Sequence, residues 1–316
     1  MSKRIAIIGC GSIGSLYAAH LARVAEVWVF ARRAEHARAL ERDGLRVSGI
    51  HDFHATLRAT ADPAALPPCD FGIVSTKALQ TAEAFAPVAR KFDSGAVLSA
   101  QNGLGNEEIL AGLTRGGIIR GTTFMAGTRQ SDTHVRYELD TATWLGPFEP
   151  APPPFAVVEE LAALLAAGGL KAVALEDARP AQWSKLLFNA AVNGVSALTG
   201  LPHTRQFAER SAPASLGNLL FDLLEEGKRV AAALGVTLHD DPWGMNLIGA
   251  QTDHPTSMLF DVQHRQATEV EFLAGAVARE AARAGVPAPL HTAIYQLVKG
   301  KEASWTPSRG PESGAH

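Results

Sequence analysis

Short apolar runs alternate with amphipathic stretches through the first half of the chain, the pattern of a doubly wound α/β sheet. Arg4-Ile5-Ala6-Ile7-Ile8 reads as a buried parallel strand, and Glu26-Val27-Trp28-Val29-Phe30 as a second, with a helix from Ser15 to Val24 between them. Phe71-Gly72-Ile73-Val74-Ser75 and Ala96-Val97-Leu98-Ser99 continue the series, followed by Ile118-Ile119 with Gly121-Thr122-Thr123. Thr143-Trp144-Leu145-Gly146 reads as an edge strand. After the breaker Pro150 to Pro154, an amphipathic helix from Phe155 to Ala167 ends at Gly168-Gly169, and Leu170 to Leu175 makes a last strand. Beyond Ala178-Arg179-Pro180 the period becomes helical, with helices expected over 181–198, 213–234, 244–252, 268–284 and 289–300. The pattern thus divides the chain into an α/β domain at 1–177, an all-α domain at 178–303 and a loose Pro/Gly/Ser-rich tail at 304–316.

One helix carries an anomaly. Trp183 to Asn193 is apolar on most of its circumference, yet Lys185, Asn189 and Asn193 recur at spacing four. Positions i, i+4 and i+8 share a helix face. A buried amide or ammonium without a partner costs a few kcal/mol, so three such groups in one stripe point to a polar ligand. The alternative is a solvated face bearing an ordinary surface lysine.

The first strand opens into Gly9-Cys10-Gly11-Ser12-Ile13-Gly14, which matches G-x-G-x-x-G in the strand–turn–helix context that a dinucleotide fingerprint requires. Gly9 suits the tight turn, Gly11 the approach of a pyrophosphate, and Gly14 close packing of helix on strand, with the helix N-terminus facing the phosphates. Cys10 is most simply a small filler there. At the tip of the second strand the chain reads Phe30-Ala31-Arg32-Arg33, without the acid that usually holds NAD ribose hydroxyls. Guanidiniums suit a 2′-phosphate, so NADPH is expected, with Arg32 as first choice because it follows the strand directly. A solvated pair at a helix start is the alternative. Ser75-Thr76-Lys77 and Gln101-Asn102-Gly103 follow two further strand ends, where open α/β sheets bind ligands. Glu269 is placed in a helix with Val270, Leu273 and Val277 in register, as a helix-dipole partner or a site residue.

Composition narrows the partners. The 316 residues are 47% hydrophobic and 19% charged with net charge −3, so the chain is globular and lacks the basic field that nucleic acid or anionic lipid would need. Two cysteines make no disulfide framework, and no metal site is expected. Lys3-Arg4 precedes too short an apolar run for a signal peptide, and no stretch reaches spanning length, so a cytoplasmic protein is expected.

Taken together, G-C-G-x-x-G, S-T-K-A-x-Q-T, Q-N-G-L-G-N, W-x-K-L-x-x-N-x-x-x-N and T-S-M-x-x-D-x-x-x-x-x-x-T-E resemble the ketopantoate reductase family over residues 4 to about 300. The resemblance implies an N-terminal Rossmann domain and an all-α C-terminal domain of the 6-phosphogluconate dehydrogenase type. It implies NADPH-dependent reduction of 2-dehydropantoate to pantoate, on the way to coenzyme A. Lys185 would then be the general acid, and Asn189, Asn193 and Ser257 would hold the substrate's hydroxyl and carboxylate. Asn102 would lie where nicotinamide and substrate meet. Lys77 and Ala126 match cofactor contacts, and Glu269 matches an acid near the nicotinamide ribose and substrate. The family includes monomers and dimers, so a homodimer is open. Two stretches depart from the pattern. His203 stands where the family usually has a substrate-binding Asn, and Arg136-Tyr137-Glu138-Leu139-Asp140 replaces a His-x-Gly-x-Gly stretch. These departures keep a paralogue acting on another 2-keto acid in view. A β-hydroxyacid dehydrogenase ranks below it, lacking its Gly-rich substrate loop, and a silent NADPH sensor ranks below that, since Lys185 and Glu269 are both kept.

Overall fold

The computed structural model describes residues 2–305, so the tail expected from 304 lies outside the described residues from 306 onward. Two compact units divide between Gln182 and Trp183.

In the first unit the strands, in chain order, are β1 (Arg4–Ile8), β2 (Glu26–Phe30), β3 (Leu45–Gly49), β4 (Phe53–Ala55), β5 (Arg58–Thr60), β6 (Phe71–Val74), β7 (Ala96–Ser99), β8 (Gly117–Thr123), β9 (Ala126–Ser131), β10 (His134–Leu139), β11 (Thr143–Pro147) and β12 (Ala172–Ala174). Helices α1 (Ser12–Leu21), α2 (Ala34–Asp43), α3 (Thr81–Phe85), α4 (Asn106–Ala111) and α5 (Phe155–Gly168) connect them. The main sheet runs β12-β11-β8-β7-β6-β1-β2-β5. Strands β5, β2, β1, β6, β7 and β8 are parallel, while β11 lies antiparallel to β8. Strand order reverses at β1, so the crevice at the C-terminal ends of β1 and β6 is a topological switch point.

Alternation along β1 shows how the sheet is covered. Ile5 and Ile7 pack with α1 and α5 through Leu16, Tyr17, Leu161 and Leu165. Ala6 and Ile8 join Phe85, Phe92 and Leu110 on the opposite face. Two-sided burial is why β1, β6 and β7 read as unbroken apolar runs.

Sequence pattern did not reveal a second sheet, ordered β4-β3-β10-β9. Its Val47, Val135 and Tyr137 share a core with α1, so that helix is buried from Gly14 to Leu21 on all sides. Nor is Thr143–Pro147 an edge strand: β12 pairs with it on the far side from β8 and takes the edge.

The second unit is helical, with α6 (Arg179–Thr199), α7 (Leu216–Ala233), α8 (Pro242–Gly249), α9 (Ser257–Gln263), α10 (Ala274–Ala284) and α11 (Pro289–Ala303), α6 starting just before the division. Glu226 on α7 accepts the Leu290 and His291 amides at 3.0 and 2.8 Å, capping the start of α11 with a buried carboxylate. The single helix expected over 268–284 does not form. Glu269 precedes a 3-10 turn at Val270–Phe272, and α10 begins only at Ala274. Thr268 causes the interruption: its hydroxyl accepts the Val270 amide at 3.3 Å, and its own amide and hydroxyl both donate to Glu302.

Candidate active site

The first unit supplies a cradle at its switch point. Gly9 has φ +94°, and a β-carbon there would meet Thr76 N at 2.7 Å. Gly14 is tighter, since a β-carbon would stand 2.0 Å from the Gly9 carbonyl oxygen and 2.5 Å from Ser75 Oγ. Ser75 Oγ donates to that same carbonyl at 2.6 Å, tying the end of β6 to the loop after β1. Over Gly11, by contrast, a β-carbon would meet nothing within 4 Å. Gly11 is the N-cap of α1 and brings no side-chain cap, so the first-turn amides of Ser12, Ile13 and Gly14 have no such acceptor. Open space over unclaimed amides fits a dinucleotide pyrophosphate. Cys10 is buried with Sγ 3.3 Å from Ser15 Oγ, and burial pushes its thiol up to about 11. It therefore stays protonated at neutral pH and packs as a small filler.

Around this cradle, a chain of buried side chains holds the neighbouring loops. Gln101 Nε2 donates to the Thr76 carbonyl at 3.0 Å and to Thr81 Oγ1 at 2.7 Å. Thr81 Oγ1 donates to Asn106 Oδ1 at 2.9 Å, and Asn106 Nδ2 donates to the Asn102 carbonyl at 3.0 Å. Gln101, Thr81 and Asn106 thus fix the loops bearing Lys77, which is exposed, and Asn102, which is half-buried. None of the three stood among the expected site residues, although each is a polar letter inside one of the motifs. Glu107 is also buried there. It accepts Gln182 Nε2 at 2.8 Å, and burial pushes its carboxyl up to about 7 against the pull of Arg120. Ala126 is half-buried at the start of β9.

At the tip of β2 the two arginines part company. Arg33 Nη2 donates to both carboxylate oxygens of Asp132, at 2.7 and 2.8 Å. Arg32 is exposed and has no hydrogen-bond or ion-pair partner among the described residues.

The second unit contributes the polar stripe of α6. Lys185 and Asn189 are half-buried, and Asn193 is buried beside Ala190, Ala191 and Val192. Burial pushes the Lys185 ammonium down to about 8, and the Glu269 carboxylate pulls the other way. Asn193 Oδ1 accepts from Ser257 Oγ at 3.4 Å and from the Met258 amide at 3.3 Å. Thr256 caps the same helix start by accepting the Leu259 amide at 3.1 Å. Three sequence-distant pieces, the α6 stripe, the start of α9 and Glu269, therefore belong to one constellation.

His203 is not an open ligand. It is buried between Phe188 and Phe207, with Nε2 donating to Asn246 Oδ1 at 2.8 Å and its amide donating to the His254 carbonyl at 3.0 Å. Asn246 in turn donates to the Phe207 carbonyl at 2.9 Å. Burial holds the imidazole below its ordinary range, hence neutral.

Residues 5–150 match the family described as Ketopantoate reductase PanE/ApbA, and residues 177–302 match its C-terminal counterpart. The chain belongs to the ketopantoate reductase family. A 2-dehydropantoate 2-reductase of Archaeoglobus fulgidus is 29% identical over 301 residues, covering 95% of this chain and 98% of the relative. The crystal structure of a PanE/ApbA family ketopantoate reductase from Ralstonia eutropha JMP134 superposes with TM-score 0.83 at 28% identity, covering 95% of this chain and 99% of that one. D-mandelate dehydrogenase in complex with NADH shares the fold, with TM-score 0.82 at 22% identity, covering 96% and 100%. This is a family of oxidoreductases with an α/β N-terminal domain and a helical C-terminal domain. No helix among the described residues is long and apolar enough to cross a membrane.

Proposed function

We propose that this family member reduces 2-dehydropantoate to pantoate with NADPH. The observation that carries the reading is Lys185, an ammonium pushed down to about 8 on the same helix stripe as two amides and opposed by a carboxylate. The Gly9–Gly14 cradle would hold NADPH, with Arg32 at the 2′-phosphate, and the bound cofactor would supply a hydride. Lys185 hydrogen-bonds the keto oxygen, stabilises the alkoxide charge as it forms, and gives up the proton that completes the hydroxyl. Glu269 keeps that ammonium charged before the reaction. Asn193 commits its carbonyl oxygen to the start of α9, so its Nδ2 is the donor for a substrate carboxylate or hydroxyl, with Asn189 and Ser257 alongside.

A second reading, a different 2-keto acid, draws on His203, which replaces the expected amide and is locked to Asn246. The test is NADPH oxidation with 2-dehydropantoate beside 2-oxoisovalerate and phenylglyoxylate. Preferential turnover of 2-dehydropantoate supports the first reading, and preferential turnover of either other acid moves the assignment to the second.

The pH profile is a separate check. Reduction needs protonated Lys185, so kcat/KM is expected to be level below pH about 8 and to fall about tenfold per unit above it. Pantoate oxidation needs the free amine and should rise through the same range. Because Glu269 raises the lysine value, Glu269→Gln should move the falling limb to lower pH. An unchanged limb in that variant would show that Glu269 does not hold the proton on Lys185.

A further inference from the structure

The expected phosphate ligand, Arg32, is a single guanidinium, whereas a 2′-phosphate carries about −1.5 to −2 charge at neutral pH. The structure places more cation beside it. In the turn between β9 and β10, Asp132 accepts Arg33 from the tip of β2 and Arg129 from β9 on one carboxylate. Its carbonyl accepts His36 Nε2 from α2 at 2.9 Å. Burial keeps His36 below its ordinary range, so it acts there as a neutral donor. The hairpin lies against α1, where a β-carbon on Gly127 would meet Leu16 Cδ1 at 3.1 Å. Three guanidiniums, Arg32, Arg33 and Arg129, therefore share this corner of the first unit with Asp132 between two of them. Two of the three are pre-oriented before any ligand arrives.

We infer that Arg129, held beside Arg33 by Asp132, is a further 2′-phosphate ligand, and that the β9–β10 hairpin contributes to the choice of NADPH over NADH. This rests on the NADPH reading above. The hairpin supplies a cation that the strand–turn–helix fingerprint does not contain. Arginine suits the task because its planar fork can face a carboxylate on one edge and a phosphate on another. Isolated exposed ion pairs do little for stability, so a purely structural role for Arg129 predicts almost no effect on cofactor choice.

The test is fluorescence titration of the full chain with NADPH and with NADH. Arg129→Gln is expected to raise the NADPH Kd about tenfold and to leave the NADH Kd unchanged, as expected for loss of a charge-assisted pair. Retained NADH binding shows that the variant is folded. Arg33→Gln, on the other side of Asp132, should behave the same way if the first variant folds poorly. Arg46→Gln, which breaks an exposed pair with Asp52, is the control and should change neither constant. A wild-type protein that prefers NADPH, with that preference intact in Arg129→Gln and Arg33→Gln, overturns this inference alone. A wild-type protein that prefers NADH overturns the NADPH reading and this inference with it.

Discussion

Replacing Lys185 with alanine is expected to lower 2-keto acid reduction by a factor on the order of 10²–10⁴, the usual worth of a positioned general acid. NADPH affinity should hardly change, because the residues assigned to the cofactor's phosphates belong to the other unit. The loss should fall on kcat and kcat/KM together, since the interaction strengthens as charge develops on the keto oxygen. Lys185→Arg separates charge from proton transfer. A guanidinium keeps the positive charge but does not give up a proton near neutrality, so part of the electrostatic contribution should return without the falling alkaline limb. The measurement is single-turnover NADPH oxidation across pH for the three proteins. Full turnover by Lys185→Ala with NADPH still bound would sink the mechanism.

What was legible in the sequence follows from how local each feature is. Strand β1, the glycine loop and strand β2 sit within one short stretch and are written in apolar runs and glycines, so their boundaries could be read directly. The α6 stripe is equally local, because helical geometry alone puts Lys185, Asn189 and Asn193 on one face. The second sheet is the opposite case. Its β3 and β10 pair Arg46 with His134, far apart in sequence, and His134 to Leu139 alternates too briefly to announce a strand. The same distance hid Arg33 meeting Asp132 and Asn193 meeting Ser257. Glu269 was misplaced for another reason. Apolar spacing from Val270 to Val277 imitates a helix, but the bonds of Thr268 to Glu302 and to the Val270 amide divert the backbone first. His203 looked like an altered substrate contact because the motif names positions, and only packing shows that Asn246 already occupies its ring.

The second large effect separates Gly14, which packs helix on strand, from Gly11, which leaves room for a pyrophosphate. Gly14→Ala is expected to destabilise the first unit by about 1–3 kcal/mol, the usual cost of forcing a methyl into filled space. A β-carbon there would lie 2.0 Å from the Gly9 carbonyl oxygen, which is backbone and already accepts Ser75 Oγ at 2.6 Å. Relief requires moving α1 away from the loop, so the melting temperature should fall and NADPH binding should fall with it. Gly11→Ala should do only the second. Its φ of −79° is open to alanine, and nothing lies within 4 Å of the added methyl. That empty space is the region a pyrophosphate would use to reach the first-turn amides of α1. An unchanged melting temperature with a markedly weaker NADPH Kd is therefore the expected result for Gly11→Ala. Thermal unfolding and fluorescence titration of both variants in parallel decide the matter. Wild-type affinity in a folded Gly11→Ala protein would mean that the cofactor's phosphates do not lie over Gly11, and the cradle would have to be drawn elsewhere.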